Sequence, residues 1–142
     1  MKLLNGDYIF LFKNGGISIE KHNETLYFNK RPLYVFVKTT MAVTEFFDCA
    51  YTDVKECGDN KIKATGILET PNGSKLSICD TYEIQGKGFL VSRTVKVLKK
   101  GDEDLGFASK FSLVLKDAET VRDYHCFAPA TWYRDNEYAR PF

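Results

Sequence analysis

Between Lys61 and Glu69 the chain alternates, with Ile62, Ala64, Gly66 and Leu68 on one face and Lys61, Lys63, Thr65 and Glu69 on the other. A repeat of two is the repeat of an extended backbone, so this segment is a strand in a sheet with one wet face and one dry face. The dry face has to be covered, which calls for a second layer. The same pattern continues downstream. Asn72-Gly73 predicts a two-residue turn into a strand with Leu76, Ile78, Tyr82 and Ile84 on one side and Asp80 interrupting them. After Gly86-Lys87-Gly88 a long strand sets Phe89, Val91, Val95 and Val97 on one face with Arg93 among them. Gly101 to Asp104 reads as a polar turn, Phe107 to Leu115 as a further strand, and Lys116 to Arg122 as a loop or a single helical turn.

The first part of the chain has the same rhythm on a shorter scale. Tyr8 to Phe12, Ile17 to Glu20, Leu26 to Phe28 and Leu33 to Val37 are short apolar runs separated by turn residues, and Asn14-Gly15-Gly16 is the strongest hairpin signal among them. No stretch sustains helical periodicity for three turns. Eight or more strands with hairpin connections predict an all-β, antiparallel, two-sheet β-sandwich, supersandwich-like, with a closed barrel as the alternative. At 142 residues the chain is expected to be a single domain spanning 1–142, with enough core to need no disulfide or metal staple.

Composition narrows the function classes. Twenty basic and nineteen acidic side chains leave a formal charge of +1, too little to attract nucleic acid or anionic lipid, so neither is an expected partner. Eleven Phe, eight Tyr and one Trp favour pleated, half-buried surfaces. Cys49, Cys57, Cys79 and Cys126 form no CxxC pair, so most are expected to be buried thiols in a reducing compartment, with no metal site. There is no apolar run for a signal peptide or a membrane span, which makes a cytoplasmic location the expectation. The sequons at Asn23 and Asn72 are given no weight.

The chemically richest segment is the last one. Around Pro129 the alternation stops, and Trp132, Tyr133, Arg134, Asp135 and Asn136 follow in a row. An aromatic face can stack on the C–H face of a pyranose while Arg, Asp and Asn bond its hydroxyls, so these five are the candidate substrate-binding or domain-interface residues. The plainer alternative is that Trp132 and Tyr133 plug the end of the sandwich. Asp80 and Arg93 fall at inward positions of neighbouring strands, where a structural ion pair is the expected role and catalysis the alternative. Asp48, Asp53, Glu56 and Glu69 include no pair that spacing selects as a glycosidase dyad. His125 and Cys126 are adjacent and so face opposite ways on a strand, which argues against a Cys-His couple, and His22 is remote from both. No nucleophile elbow, phosphate loop, dinucleotide fingerprint or zinc-protease motif is present. No catalytic residue and no cofactor are assigned.

The stretch Phe127-Ala128-Pro129-Ala130-Thr131-Trp132-Tyr133-Arg134-Asp135-Asn136 resembles a Phe-x-Pro-x-x-x-Tyr-x-x-Asn segment of bacterial glycosidases of the six-hairpin type. In those enzymes an N-terminal β-supersandwich precedes a large (α/α) toroid. The specific resemblance covers about ten residues, and the rest is shared strand-rich character. It implies an N-terminal fragment of a larger glycoside hydrolase: non-catalytic itself, supporting a helical catalytic domain that holds the catalytic carboxylates, and reaching the rim of a sugar site. The expected partners are then that helical domain and carbohydrate, with self-association of the isolated piece. Two readings compete with it. One is a stand-alone barrel or sandwich module binding a small apolar ligand or carbohydrate. The other is a small β-barrel enzyme using Asp80, Arg93 and a nearby carboxylate.

Overall fold

A computed structural model describes residues 1–39 and 44–116. In chain order the strands are β1 (Lys2–Asn5), β2 (Tyr8–Lys13), β3 (Gly16–Lys21), β4 (Glu24–Asn29), β5 (Leu33–Thr39), β6 (Thr44–Cys49), β7 (Asp53–Glu56), β8 (Lys61–Glu69), β9 (Lys75–Gln85), β10 (Gly88–Lys99), β11 (Asp104–Lys110) and β12 (Val114–Leu115). Every pairing is antiparallel. Among the described residues there is no helix, hence none long and apolar enough to cross a membrane.

The all-β antiparallel architecture expected from the alternation is the one observed, and it does not close into a barrel among the described residues. Hydrogen bonding divides the strands into three sheets, ordered β1-β2-β3-β4-β12, β10-β9-β8-β7 and β11-β5-β6. The first and third lie against the same face of the second. Ile62, Ala64, Gly66 and Leu68 of β8, with Leu76, Ile78, Asp80 and Tyr82 of β9, form that buried face. Tyr82 meets Phe10 and Phe12 of β2 at ring-centroid distances of 5.0 and 4.9 Å. A side chain at Gly66 would run into Leu33 of β5, so the glycine sets how closely those two sheets approach. Leu3, Phe10, Leu33, Val35, Ile62, Ile78 and Tyr82 belong to one continuous core. Burying each of the larger of these side chains contributes about 1.5–3 kcal/mol.

The tight turns follow from the residues that can adopt positive φ. Asn14 and Gly15, at φ 52° and 73°, are the two central residues of the β2–β3 hairpin, and Lys13 pairs with Gly16 across it. Gly15 also has no room for a side chain, since a Cβ would lie 2.6 Å from the Tyr51 carbonyl oxygen. His22 and Asn23, at φ 50° and 67°, make the equivalent turn between β3 and β4.

The sequence reading named no strand at β1, β6 or β7, and three details of the segments that it did name also differ. Glu69 pairs with Lys75, so the loop carrying Asn72-Gly73 spans 70–74 instead of two residues. It is closed by Thr70 N–H donating to the Ser74 carbonyl at 2.9 Å. Asp104 begins β11 and is buried, so the polar turn is shorter than expected. The strand expected from Phe107 to Leu115 breaks at 111–113, as the chain leaves the three-stranded sheet to pair with β4. Asn29 Nδ2 donates to the Ser112 carbonyl at 2.8 Å and pins that crossing.

Candidate functional site

The charged pair read from the alternation is the centre of a buried polar network. Asp80 and Arg93 are direct cross-strand partners in the β9–β10 register. Asp80 is fully buried at 0 % exposure. Arg93 grips it with both edges of the guanidinium, Nε to Oδ1 at 2.6 Å and Nη2 to Oδ2 at 2.5 Å. It also donates to Ser109 Oγ of β11 at 3.0 Å and to the Pro32 carbonyl at 2.9 Å. The Tyr51 hydroxyl donates to Asp80 Oδ2 and lies 2.5 Å from the Tyr82 hydroxyl. Burial, followed by the neighbouring Tyr82 and Asp80, pushes the Tyr51 phenol far above its ordinary value, and burial likewise raises Tyr82. Burial works against the Arg93 charge, but the bonds to Asp80 prevail and raise its pKa. Among the described residues no buried side-chain nitrogen or oxygen is without a hydrogen-bond partner.

A carboxylate with no exposed surface, bonded on both oxygens, cannot touch a substrate. The network therefore ties the sheets together: Arg93 joins the four-stranded sheet to β11 and to the start of β5. This is the structural role expected for the pair.

A second polar cluster locks two loops at one end of the molecule. Asp104 accepts from Thr70 Oγ1 at 2.7 Å and Asn72 Nδ2 at 3.0 Å, and Gly101 N–H donates to Ser74 Oγ at 2.7 Å. Burial opposes the Asp104 charge, yet the bonds from Ser74, Thr70 and Asn72 outweigh it and hold the carboxyl below the usual range.

Beside this lock lies an open, mainly apolar cleft of about 230 Å³ between β10 and β11, lined by Val37, Leu76, Val97, Leu105 and Phe107 with Lys100 at its rim. Both bordering strands carry a β-bulge here. Val97 pairs with Leu76 and Lys99 with Lys75, leaving Leu98 as the extra residue, and Leu105 is the extra residue between Asp104 and Gly106. Bulges bend an edge and re-aim its side chains. Here they leave Val97, Leu98, Leu105 and Phe107 exposed, Leu105 by 58 %.

The candidate residues Trp132, Tyr133, Arg134, Asp135 and Asn136 lie outside the described residues, as do His125, Cys126 and the predicted loop or turn from 117 onward. His22 sits in an exposed turn, 3.6 Å from the Asp7 carboxylate. Asp53 is paired with Lys55 and Glu69 with Lys75, while Glu56 is exposed on β7. The cysteine expectation needs correcting: Cys57 is exposed, and Cys49 and Cys79 are only half-buried. All three are free thiols, and Cys49 and Cys57 do not meet. Burial raises the Cys49 thiol. No group of three or more metal-ligating side chains occurs among the described residues. The chain matches no protein-family model, no curated protein and no solved structure.

Proposed function

We propose that this chain is a non-catalytic β-sandwich domain of a glycoside hydrolase and that it docks a helical catalytic domain of the same polypeptide on its β10–β11 edge. The observation that carries this reading is the strip of exposed apolar side chains at the two bulges, Val97, Leu98, Leu105 and Phe107. Edge strands are commonly blunted with charge, and a contiguous apolar edge marks a surface that another element covers. The buried, saturated state of Asp80 and Arg93 supports the non-catalytic part. The Phe127 to Asn136 resemblance supplies the glycosidase part, with Trp132 to Asn136 assigned to the domain interface or the rim of the sugar site.

The same cleft is the observation in favour of a small apolar ligand. At about 230 Å³ it is smaller than the roughly 300–1,000 Å³ of ordinary ligand pockets and open to solvent, which favours a docked surface over an enclosed molecule. The test is the coding frame that contains these 142 residues. It is expected to continue into a helix-rich second domain, and a frame without one contradicts the reading.

A further inference from the structure

A different surface carries a second site, on the outer side of the three-stranded sheet. The outer face of a sandwich is ordinarily polar. Here Tyr34 and Phe36 of β5 and Phe46 of β6 form an outward aromatic cluster, with Phe36 and Phe46 edge-to-face at 4.5 Å and Tyr34 and Phe46 at 6.0 Å. Phe46 is 58 % exposed while its neighbours hold the ring in place.

Beside it Arg31 is fixed against Asp48, Nε donating to Oδ1 and Nη2 to the main-chain oxygen, each at 2.5 Å. Asn29 Oδ1 accepts from the Arg31 N–H at 2.8 Å and positions the residue. Arg31, Phe46, Asp48, Ile67, Glu69 and Pro71 border a cleft of about 550 Å³ along the β6 edge. The charged groups that line it are paired, Arg31 with Asp48 inside the cleft and Glu69 with Lys75 from outside its lining.

We infer that this cleft binds a neutral saccharide, with the Phe46 ring stacked on the C–H face of one pyranose and the Arg31–Asp48 fork bonded to its hydroxyls. A charge-balanced cleft favours neither an anion nor a cation. A ring fixed at its edge beside a planar donor and acceptor pair matches a ligand with an apolar face and a polar rim. Asp48 is engaged through Oδ1 and its main-chain oxygen among the described residues, which leaves Oδ2 to accept from a hydroxyl. The site goes beyond the docking surface on β10 and β11: it uses none of those residues and needs no second domain.

The test is a titration of the ¹⁵N-labelled 142-residue chain, followed by amide chemical shifts, with cellohexaose, mannohexaose and maltohexaose in turn. At least one is expected to bind with a Kd of about 1 mM or tighter, in the range of a shallow site, and to shift amides of Arg31, Phe46, Asp48 and Glu69. Phe46→Ala should weaken binding about tenfold, the upper value for a ring contact, and Phe46→Trp should restore it. Arg31→Lys, which keeps the charge and loses the fork, should also weaken binding, whereas Leu105→Ser should leave it unchanged. Three outcomes overturn the inference: no shift with any of the three sugars up to about 20 mM, well above the expected Kd; shifts confined to other surfaces; or unchanged binding in a folded Phe46→Ala variant. None of them bears on the β10–β11 docking surface, whose test is separate.

Discussion

At the scale of single residues, Asp80 and Arg93 show how a buried charge is kept. A carboxylate is costly to bury without partners, and Asp80 receives two bonds from Arg93 and one from Tyr51. Removing one partner exposes that dependence. Arg93→Met should destabilise the fold by about 3–5 kcal/mol in urea denaturation, the range found when one side of a buried pair is lost. Adding Asp80→Asn should recover a large part, because the stranded charge is then gone. A double variant as unstable as Arg93→Met alone would contradict the account. The opposition of these two residues was readable in the sequence, since both interrupt apolar alternation on strands joined by a short turn. Tyr51 was not. It lies in the link between β6 and β7, where no periodicity points its side chain anywhere.

At the scale of elements, the hairpin at Asn14-Gly15 was legible, whereas β1 and β7, only four residues each, were not, although Gly6, Gly58 and Asn60 in their turns also have positive φ. Asn14-Gly15 announces its turn, whereas β6 contains Phe46 and Phe47 side by side, so one ring faces out whichever way the strand lies. The outward aromatic cluster therefore depends on register, which sequence alone does not fix. The bulges at Leu98 and Leu105 were hidden for a similar reason: an extra residue in one strand has meaning only against its partner.

The loop lock around Asp104 makes a pH-dependent prediction at this scale. Its carboxyl lies below the ordinary range in the fold, so its contribution is fully present above the unfolded value of about 4 and is lost as pH falls through the lower folded value. Asp104→Asn should cost about 1–3 kcal/mol near neutral pH, as expected for losing bonds to a buried charged acceptor. The gap to the parent chain should close as acid denaturation is followed below about pH 4. A gap that stays constant across that range would show that the charge is not what locks the loops.

At the scale of the whole molecule, the three-sheet arrangement places the two proposed surfaces on different strands. The docking strip follows β10 and β11, and the saccharide cleft follows β6. The all-β class followed from period two together with hairpin turns and the lack of any sustained helical periodicity, because the dry face then has to be covered by another sheet. The split of the strands facing β8 and β9 into two separate sheets did not, since apolar alternation states that a face is buried but not which neighbour buries it. The candidate segment Trp132 to Asn136 lies outside the described residues, so the docking claim rests on Val97, Leu98, Leu105 and Phe107. Amide hydrogen exchange compares that edge directly between this chain and the full translation product of its gene. Exchange from Lys96 to Phe107 should slow by about tenfold or more in the longer protein, equivalent to roughly 1.4 kcal/mol of added protection. Equal exchange along that edge in both proteins would contradict docking on it.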